Sequence, residues 1–172
     1  MISKEMTKAL NEQINKELYS AYLYLDLSAR AERSGMPGVA NWFFIQNQEE
    51  LTHAQMFYKY VLRQGATIEL AAIAKPAVKC KTALEMFEKT LEHERVVTAS
   101  INNLVDIAVK EKDHATEVSL QWFVNEQVEE EQNACAIIDQ LKLAGPNGGG
   151  LFMIDRELAA RVFVPPTAAS AA

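Results

Sequence analysis

The sequence predicts an all-α fold: a four-helix bundle with one long crossover between its second and third helices, plus a short C-terminal fifth helix. Three observations point there. Apolar residues recur at alternating spacings of three and four along four long stretches, the stripe by which a helix packs on its neighbours. The seven Gly and five Pro fall mostly in two short stretches, 34–38 and 145–150, so little interrupts the helices between them. The segment 66–81 carries no sustained stripe.

The first helix is expected from Ser3, whose hydroxyl suits an N-cap, to about 33. Its stripe reads Leu10, Ile14, Glu17, Ala21, Tyr24, Ser28, Ala31. Ser34-Gly35-Met36-Pro37-Gly38 turns the chain, and the second helix runs to about 64, with Gly65 placed to stop it. Its stripe is Val39, Phe43, Gln46, Glu50, His53, Phe57, Tyr60. That helix spans about 40 Å at about 1.5 Å per residue. The segment 66–81 can reach about 50 Å when extended. It therefore carries the chain back along the bundle, and the third helix runs parallel to the second. The third helix covers about 82–110, capped by Thr82, with the stripe Leu84, Phe87, Leu91, Glu94, Thr98, Ile101, Val105, Ala108. After a turn at Glu111-Lys112-Asp113, the fourth runs to about 144 through Thr116, Leu120, Phe123, Gln127, Glu130, Ala134, Ile137 and Leu141. Residues 145–150 read as a hinge. A short helix over 151–162 follows, too short to stand alone and expected to pack on the bundle end or on another subunit. Residues 1–162 form one domain in this reading, and 163–172 a tail that is loose at its end.

Each stripe is interrupted near its middle by a polar side chain. Packed side by side, the four helices bring Glu17, Glu50, His53, Glu94, Gln127 and Glu130 into one layer. Acids crowded in low dielectric are costly unless a counter-charge joins them, and a multivalent cation is the least costly one. Glu50 and His53 are three apart and share a helix face, as do Gln127 and Glu130, while Glu17 and Glu94 add one acid each. This is the plan of a dinuclear site in a bundle core. Many carboxylates with one imidazole suit iron or manganese better than structural zinc or copper. Glu17, Glu50 and His53 would hold one ion and Glu50, Glu94 and Glu130 the second, with Glu50 bridging and Gln127 hydrogen-bonding to a ligand. Two readings stand for Glu49, Glu126 and Glu129: a third, more open cation site shared with Glu130, or a solvated face. Glu131 reads as solvated. Tyr24 is either a core aromatic or a redox or hydrogen-bonding group beside the ions. Tyr19, Tyr22, Trp42 and Trp122 read as packing residues, His93 as a neighbour of the layer or a surface group, and His114 as exposed.

Composition excludes several classes. The formal net charge of −6 leaves no basic face for nucleic acid. Cys80 and Cys135 are the two cysteines and form no CxxC pair, so no thiolate zinc or rubredoxin-type iron site is expected, and both read as reduced thiols of a cytoplasmic protein. MISKEMTKALNEQ has no apolar core of a leader peptide. No apolar run approaches the roughly 20 residues that cross a bilayer, so no membrane partner is expected.

Together these residues resemble the bacterial-type non-haem ferritins. The likeness is carried by Leu10-Asn11-Glu12-Gln13 through Glu17-Leu18-Tyr19-Ser20, Gln48-Glu49-Glu50-Leu51-Thr52-His53, His93-Glu94, Gln121-Trp122-Phe123-Val124-Asn125-Glu126-Gln127, Leu143-Ala144-Gly145 and Ile154-Asp155-Arg156-Glu157-Leu158. It covers about 1–160. The resemblance implies a ferritin-like bundle that stores iron and is a ferroxidase. Fe(II) is oxidised at the dinuclear centre by dioxygen or hydrogen peroxide, and Fe(III) passes into a mineral inside a hollow shell of 24 subunits. It also implies a fifth helix at the four-fold axis, a third iron site at Glu49, Glu126, Glu129 and Glu130, and Tyr24 as the tyrosine beside the centre. Haem-containing bacterioferritins are less similar. They have His where Gln127 stands and a haem-ligating Met where Thr52 precedes His53, so no haem is expected. The residues alone also admit a di-iron oxidase or peroxide reductase without a shell, and a structural bundle whose mid-layer acids are solvated.

Overall fold

The computed structural model describes residues 1–145 and 148–166. Five helices follow one another: α1 (Lys4–Arg33), α2 (Pro37–Arg63), α3 (Ala83–Glu111), α4 (His114–Ala144) and α5 (Gly148–Leu158). The described residues contain no strand. None of these helices is long and apolar enough to cross a membrane.

Local chemistry fixes the helix starts. Ser3 accepts the Met6 N–H at 2.9 Å, a cap worth about 1 kcal/mol. Thr82 and Glu85 cap each other's backbone reciprocally at the start of α3, and Asp113 accepts from Thr116 N–H at the start of α4. The start of α2 has no side-chain cap of its own and uses Pro37 in its first turn. Its Val39 N–H is instead satisfied across space by Asp155 Oδ1 of α5, at 2.9 Å. An N-terminal end of the bundle is thus closed from the far end of the chain.

Contacts between the helices give their directions. Ser3 donates to Glu111 at 2.6 Å and Tyr24 to Glu94, so α1 and α3 run antiparallel. Tyr60 meets Thr116 at 2.7 Å and Gln46 meets Glu130 at 2.7 Å, so α2 and α4 run antiparallel. Glu88–Lys142 and Glu94–Gln127 do the same for α3 and α4. Hence α2 and α3 are parallel, and 64–82 is the crossover. Ala66 and Ile68 at its start pack on one end of the core, whereas Val78 is buried at the other. Asn11 fixes it to α1 by donating to Thr67 O at 3.0 Å and accepting from Glu69 N at 2.8 Å.

The apolar core comes in two clusters. One holds Leu23, Leu27, Trp42, Phe43, Phe87 and Ile137; the other holds Met6, Leu10, Phe57, Ile101, Leu104 and Leu120. Side chains of this size stabilise the fold by about 1.5–3 kcal/mol each when fully buried. Between the clusters lies the polar layer.

The stripes on α2 and α4 are buried at every expected position, and that on α1 at all but the half-buried Ser28. On α3 the buried line runs Phe87, Thr90, Glu94, Val97, Ile101, Leu104, Ala108, so Leu84, Leu91, Thr98 and Val105 are half-buried instead. The displaced line passes through Thr90, whose hydroxyl is satisfied inside the helix by Met86 O at 3.0 Å and can therefore be buried. Tyr22, expected to pack, is 49% exposed on the outer face of α1.

The fifth helix starts at Gly148 and ends at Leu158 rather than spanning 151–162, so Gly148, Gly149 and Gly150 of the expected hinge form its first turn, while Gly145 caps the end of α4. Glycine disfavours a helix by about 1 kcal/mol per residue. Here close packing overrides that cost. A Cβ on Gly150 would stand 2.7 Å from Ala144 Cβ, while Ile154 and Leu158 are buried against the bundle. Of the expected hinge, Pro146 and Asn147 lie outside the described residues, as do residues 167–172 of the expected loose tail.

Gly38 is where α5 meets α2 most closely. A Cβ there would fall 1.6 Å from the Asp155 carbonyl oxygen, which is rigid backbone. Gly38→Ala is therefore expected to push α5 away, break the Val39–Asp155 bond and destabilise the fold by about 1–3 kcal/mol. Denaturant unfolding of the variant against the wild type measures this; unchanged stability contradicts the packing described.

Candidate metal centre

The layer between the two apolar clusters is built from the middle turns of four helices. Glu17 (α1), Glu50 and His53 (α2), Glu94 (α3) and Glu130 (α4) are all buried, each no more than 4% exposed. Gln127 and Gln46 are buried beside them. The structure brings all six expected residues into this one layer.

Its tightest part is Glu17, Glu50 and His53. One ligand atom from each lies within 4.8 Å of the others. His53 Nδ1 stands 3.4 Å from Glu50 Oε2 and 4.0 Å from Glu17 Oε2. The edges and faces of Trp122 and Phe123 hold the imidazole in place, with ring centroids 5.3 and 6.0 Å away. Among the described residues, Glu50, Glu94 and Glu130 do not converge as closely. Oxygens of Glu94 and Glu130 are instead engaged by neutral donors. Tyr24 and Gln127 both donate to Glu94, Gln127 at 3.2 Å, and Gln46 donates to Glu130 Oε1 at 2.7 Å.

Burial dominates the electrostatics. It pushes the carboxyls of Glu17, Glu50 and Glu130 well above the usual carboxylate range, and neighbouring carboxylates push them further. Glu94 is raised as well, mainly by burial, with the Tyr24 and Gln127 hydrogen bonds opposing. Tyr24 is raised well above the ordinary phenol value by burial and by Glu94, which keeps it a hydrogen-bond donor. Burial holds the neighbouring His93 neutral, with a pKa of about 4. Its Nε2 lies 2.7 Å from Ser20 Oγ, and its ring stands edge-on to Tyr24.

The chemistry of these donors fits a cation. Glu130 Oε2 is buried with no hydrogen-bond partner among the described residues. An unsatisfied buried oxygen costs about 1–3 kcal/mol, more if charged. Such an oxygen, next to three more buried carboxyls and an imidazole, matches the ligand set of a hard or borderline metal ion.

The flanking acids are placed differently. Glu126 is half-buried, 4.0 Å from His53 Nε2, and Glu129 is exposed. Burial raises the carboxyls of Glu49 and Glu126, and the Glu129 charge raises both further, so the three share one face. Glu49 is paired with Arg161 at 2.5 Å. Glu131, expected to be solvated, is half-buried because Thr98 donates to it at 2.7 Å. His114 is exposed, as expected.

Comparison with known proteins then places the chain. The ferritin-like domain family matches residues 7–144. The chain is 42% identical over 156 residues to a bacterial non-heme ferritin of Campylobacter jejuni, covering 91% of this chain and 93% of that protein. It is 44% identical over 161 residues to a bacterial non-heme ferritin of Bacteroides fragilis, covering 94% and 100%. This chain belongs to the bacterial non-heme ferritins. Among solved ferritin structures, an open pore ferritin from Archaeoglobus fulgidus superposes with a TM-score of 0.93 at 43% identity, covering 94% of this chain and all of that one.

Three residues around the ferritin site were given no role from sequence. Gln13, fully buried, donates to Glu17 Oε1 at 2.7 Å; Gln46 donates to Glu130 and, at 3.5 Å, to Glu50; Arg161 reaches Gln46 and Glu49. Gln13 and Gln46 each stand four residues before a layer acid, one helical turn away, and that spacing was a readable signal. Arg161 gave none, because its partners are more than a hundred residues away in the chain.

The raised carboxyls make stability depend on pH and metal together. Their folded values exceed the unfolded ones. Their contribution is therefore fully present below the ordinary carboxylate range, about pH 4, and is lost as pH rises through the folded values. Metal-free protein is expected to melt at a progressively lower temperature as pH rises above the ordinary carboxylate range, and a divalent cation should reverse the loss while releasing protons. Calorimetric melting with and without metal, with proton release measured in a weakly buffered titration, checks both; a metal-free melting point that rises with pH contradicts this account.

Proposed function

We propose that this protein stores iron and is a ferroxidase, and that Glu17, Glu50, His53, Glu94 and Glu130 bind the two ferrous ions it oxidises. The observation that carries the reading is the buried layer itself: four acids and one histidine, with an unpartnered carboxylate oxygen, at mid-height of a ferritin bundle. In this reading Glu17, Glu50 and His53 hold one ion, Glu50, Glu94 and Glu130 hold the other, and Glu50 bridges. Gln127 and Tyr24 orient Glu94 by donating to its oxygens, and Gln13 and Gln46 do the same for Glu17 and Glu130.

The residues do three things in the reaction. They exchange carboxyl protons for metal, which the raised proton affinities of the metal-free layer require. Being anionic when loaded, they favour the more highly charged ferric product, which promotes electron loss from Fe(II). They also hold the two ions near one another. The electrons balance when two Fe(II) each give one. Dioxygen takes both with two protons to become hydrogen peroxide, or hydrogen peroxide takes both with two protons to become water. Fe(III) then leaves past Glu49, Glu126 and Glu129, which with Glu130 make a third cation position. The mineral is deposited inside a 24-subunit shell, with α5 at the four-fold axis and residues 1–162 acting as one unit. The protein works in the cytoplasm and needs no haem.

Two measurements test this. Glu50→Ala and His53→Ala should each abolish rapid ferrous oxidation, followed by ferric absorbance after mixing with aerated buffer. Tyr24→Phe and Gln127→Leu, which disturb a ligand without removing it, should slow it by about 10–100-fold. Light scattering should give a particle near the mass of 24 chains. Unchanged oxidation in the two alanine variants removes the catalytic assignment, and a monomer or dimer removes the shell.

A further inference from the structure

Beyond Leu158 the chain leaves the helix and lies back along α2. Asn41 of α2 holds this segment by donating to the Arg161 carbonyl at 3.0 Å. The Arg161 side chain then makes a dense set of contacts. Its guanidinium lies over the Trp42 ring, 4.6 Å from the centroid, and donates to Trp42 O at 3.2 Å. Nη1 donates to Gln46 Oε1 at 2.9 Å and Nη2 to Glu49 Oε2 at 2.5 Å. Both partners of the ion pair are about four-fifths shielded from solvent. Gln46 passes the contact inward, since its amide donates to Glu130 Oε1. Among the described residues, Arg161 is the one Lys or Arg side chain paired with an acid of the face formed by Glu49, Glu126 and Glu129.

We propose that the Arg161 guanidinium is a tethered counter-ion of Glu49, and that a metal cation can bind at Glu49 only after Arg161 has left, freeing segment 159–166 from α2. This rests on the reading of Glu49, Glu126 and Glu129 as a cation-binding face. The charges make the exchange reasonable. A guanidinium carries one positive charge and five donors and cannot lose its proton, so it withholds Glu49 Oε2 from a metal and places a fixed positive charge where the metal would sit. A metal ion of higher charge, shared among Glu49, Glu126 and Glu129, offsets the lost pair. The exchange also reaches the buried layer. Without Arg161 the Gln46 carbonyl oxygen loses its donor, so the amide that orients Glu130 is less constrained. Occupancy of the outer position and the geometry at Glu130 are therefore linked through two side chains.

The test uses the assembled, metal-free full-length protein and Zn(II), which is redox-inert and accepts carboxylate and imidazole ligands. Hydrogen–deuterium exchange of amides 159–164 should speed up when Zn(II) is added to the wild type. In Arg161→Gln these amides should exchange fast before metal is added, and calorimetry should show binding at the outer position about tenfold tighter, the effect of losing one charge-assisted competitor. Glu49→Gln should exchange fast from the start and show no response to Zn(II). Anomalous maps of soaked wild-type crystals should show the outer peak together with a displaced Arg161. Equal affinity in Arg161→Gln, or a peak at Glu49 with Arg161 still bonded, overturns the proposal. The same maps separate its failure from that of the ferroxidase reading: no peak among Glu17, Glu50 and His53 sinks that reading, whereas a peak there without the Arg161 effect sinks this one alone.

Discussion

Burying carboxylates is the constraint from which the rest of this structure follows. Glu17, Glu50, Glu94 and Glu130 sit in the dry middle of a bundle, where an isolated ionised acid is not tolerated. Three remedies are visible around them. Protons are held more tightly, neutral amides and a phenol are aimed at the oxygens, and one oxygen, Glu130 Oε2, is left over. The first two make the metal-free state bearable. The third leaves one acceptor unsatisfied, and the proposed cation would satisfy it.

The donors around the layer also sort its oxygens. Gln13, Gln46, Gln127 and Tyr24 take one side of the acids to which they point, and His53 faces Glu17 and Glu50 from the other. The Glu17–Glu50–His53 group is the compact one, while Glu94 and Glu130 each give an oxygen to a neutral donor. The apolar clusters at either end supply the stability that such a layer does not, and aromatic stacking at Phe57–Phe123 and Phe43–Phe87 brings them to within a side chain of the acids.

Much of this was legible in the chain itself. Polar residues recurring on apolar stripes located the layer, and every position read on the stripes of α2 and α4 is buried. On α3 the stripe read from sequence shares Phe87, Glu94, Ile101 and Ala108 with the buried line, but the buried line passes through Thr90, Val97 and Leu104 in place of Leu91, Thr98 and Val105. The self-satisfied hydroxyl of Thr90 permits its burial. The start of α5 was misjudged because a run of glycine suggests a hinge, whereas the close approach of Gly150 to Ala144 shows that a small residue is needed there for contact. Arg161 lay outside what any local pattern could give. Its meaning depends on where the chain returns, which is a property of the fold.

The mid-core position of the charged layer has a bearing on how the helices find their alignment. Leucine and phenylalanine stripes can slide past one another by a full heptad with little loss of contact. Here such a slip would carry Glu50 or Glu130 to the level now held by Phe57 or Ile137 and strand each acid among hydrocarbon. The same side chains that invite an ion thus act as a notch that allows one vertical setting of four rods, much as a single asparagine does in a coiled coil.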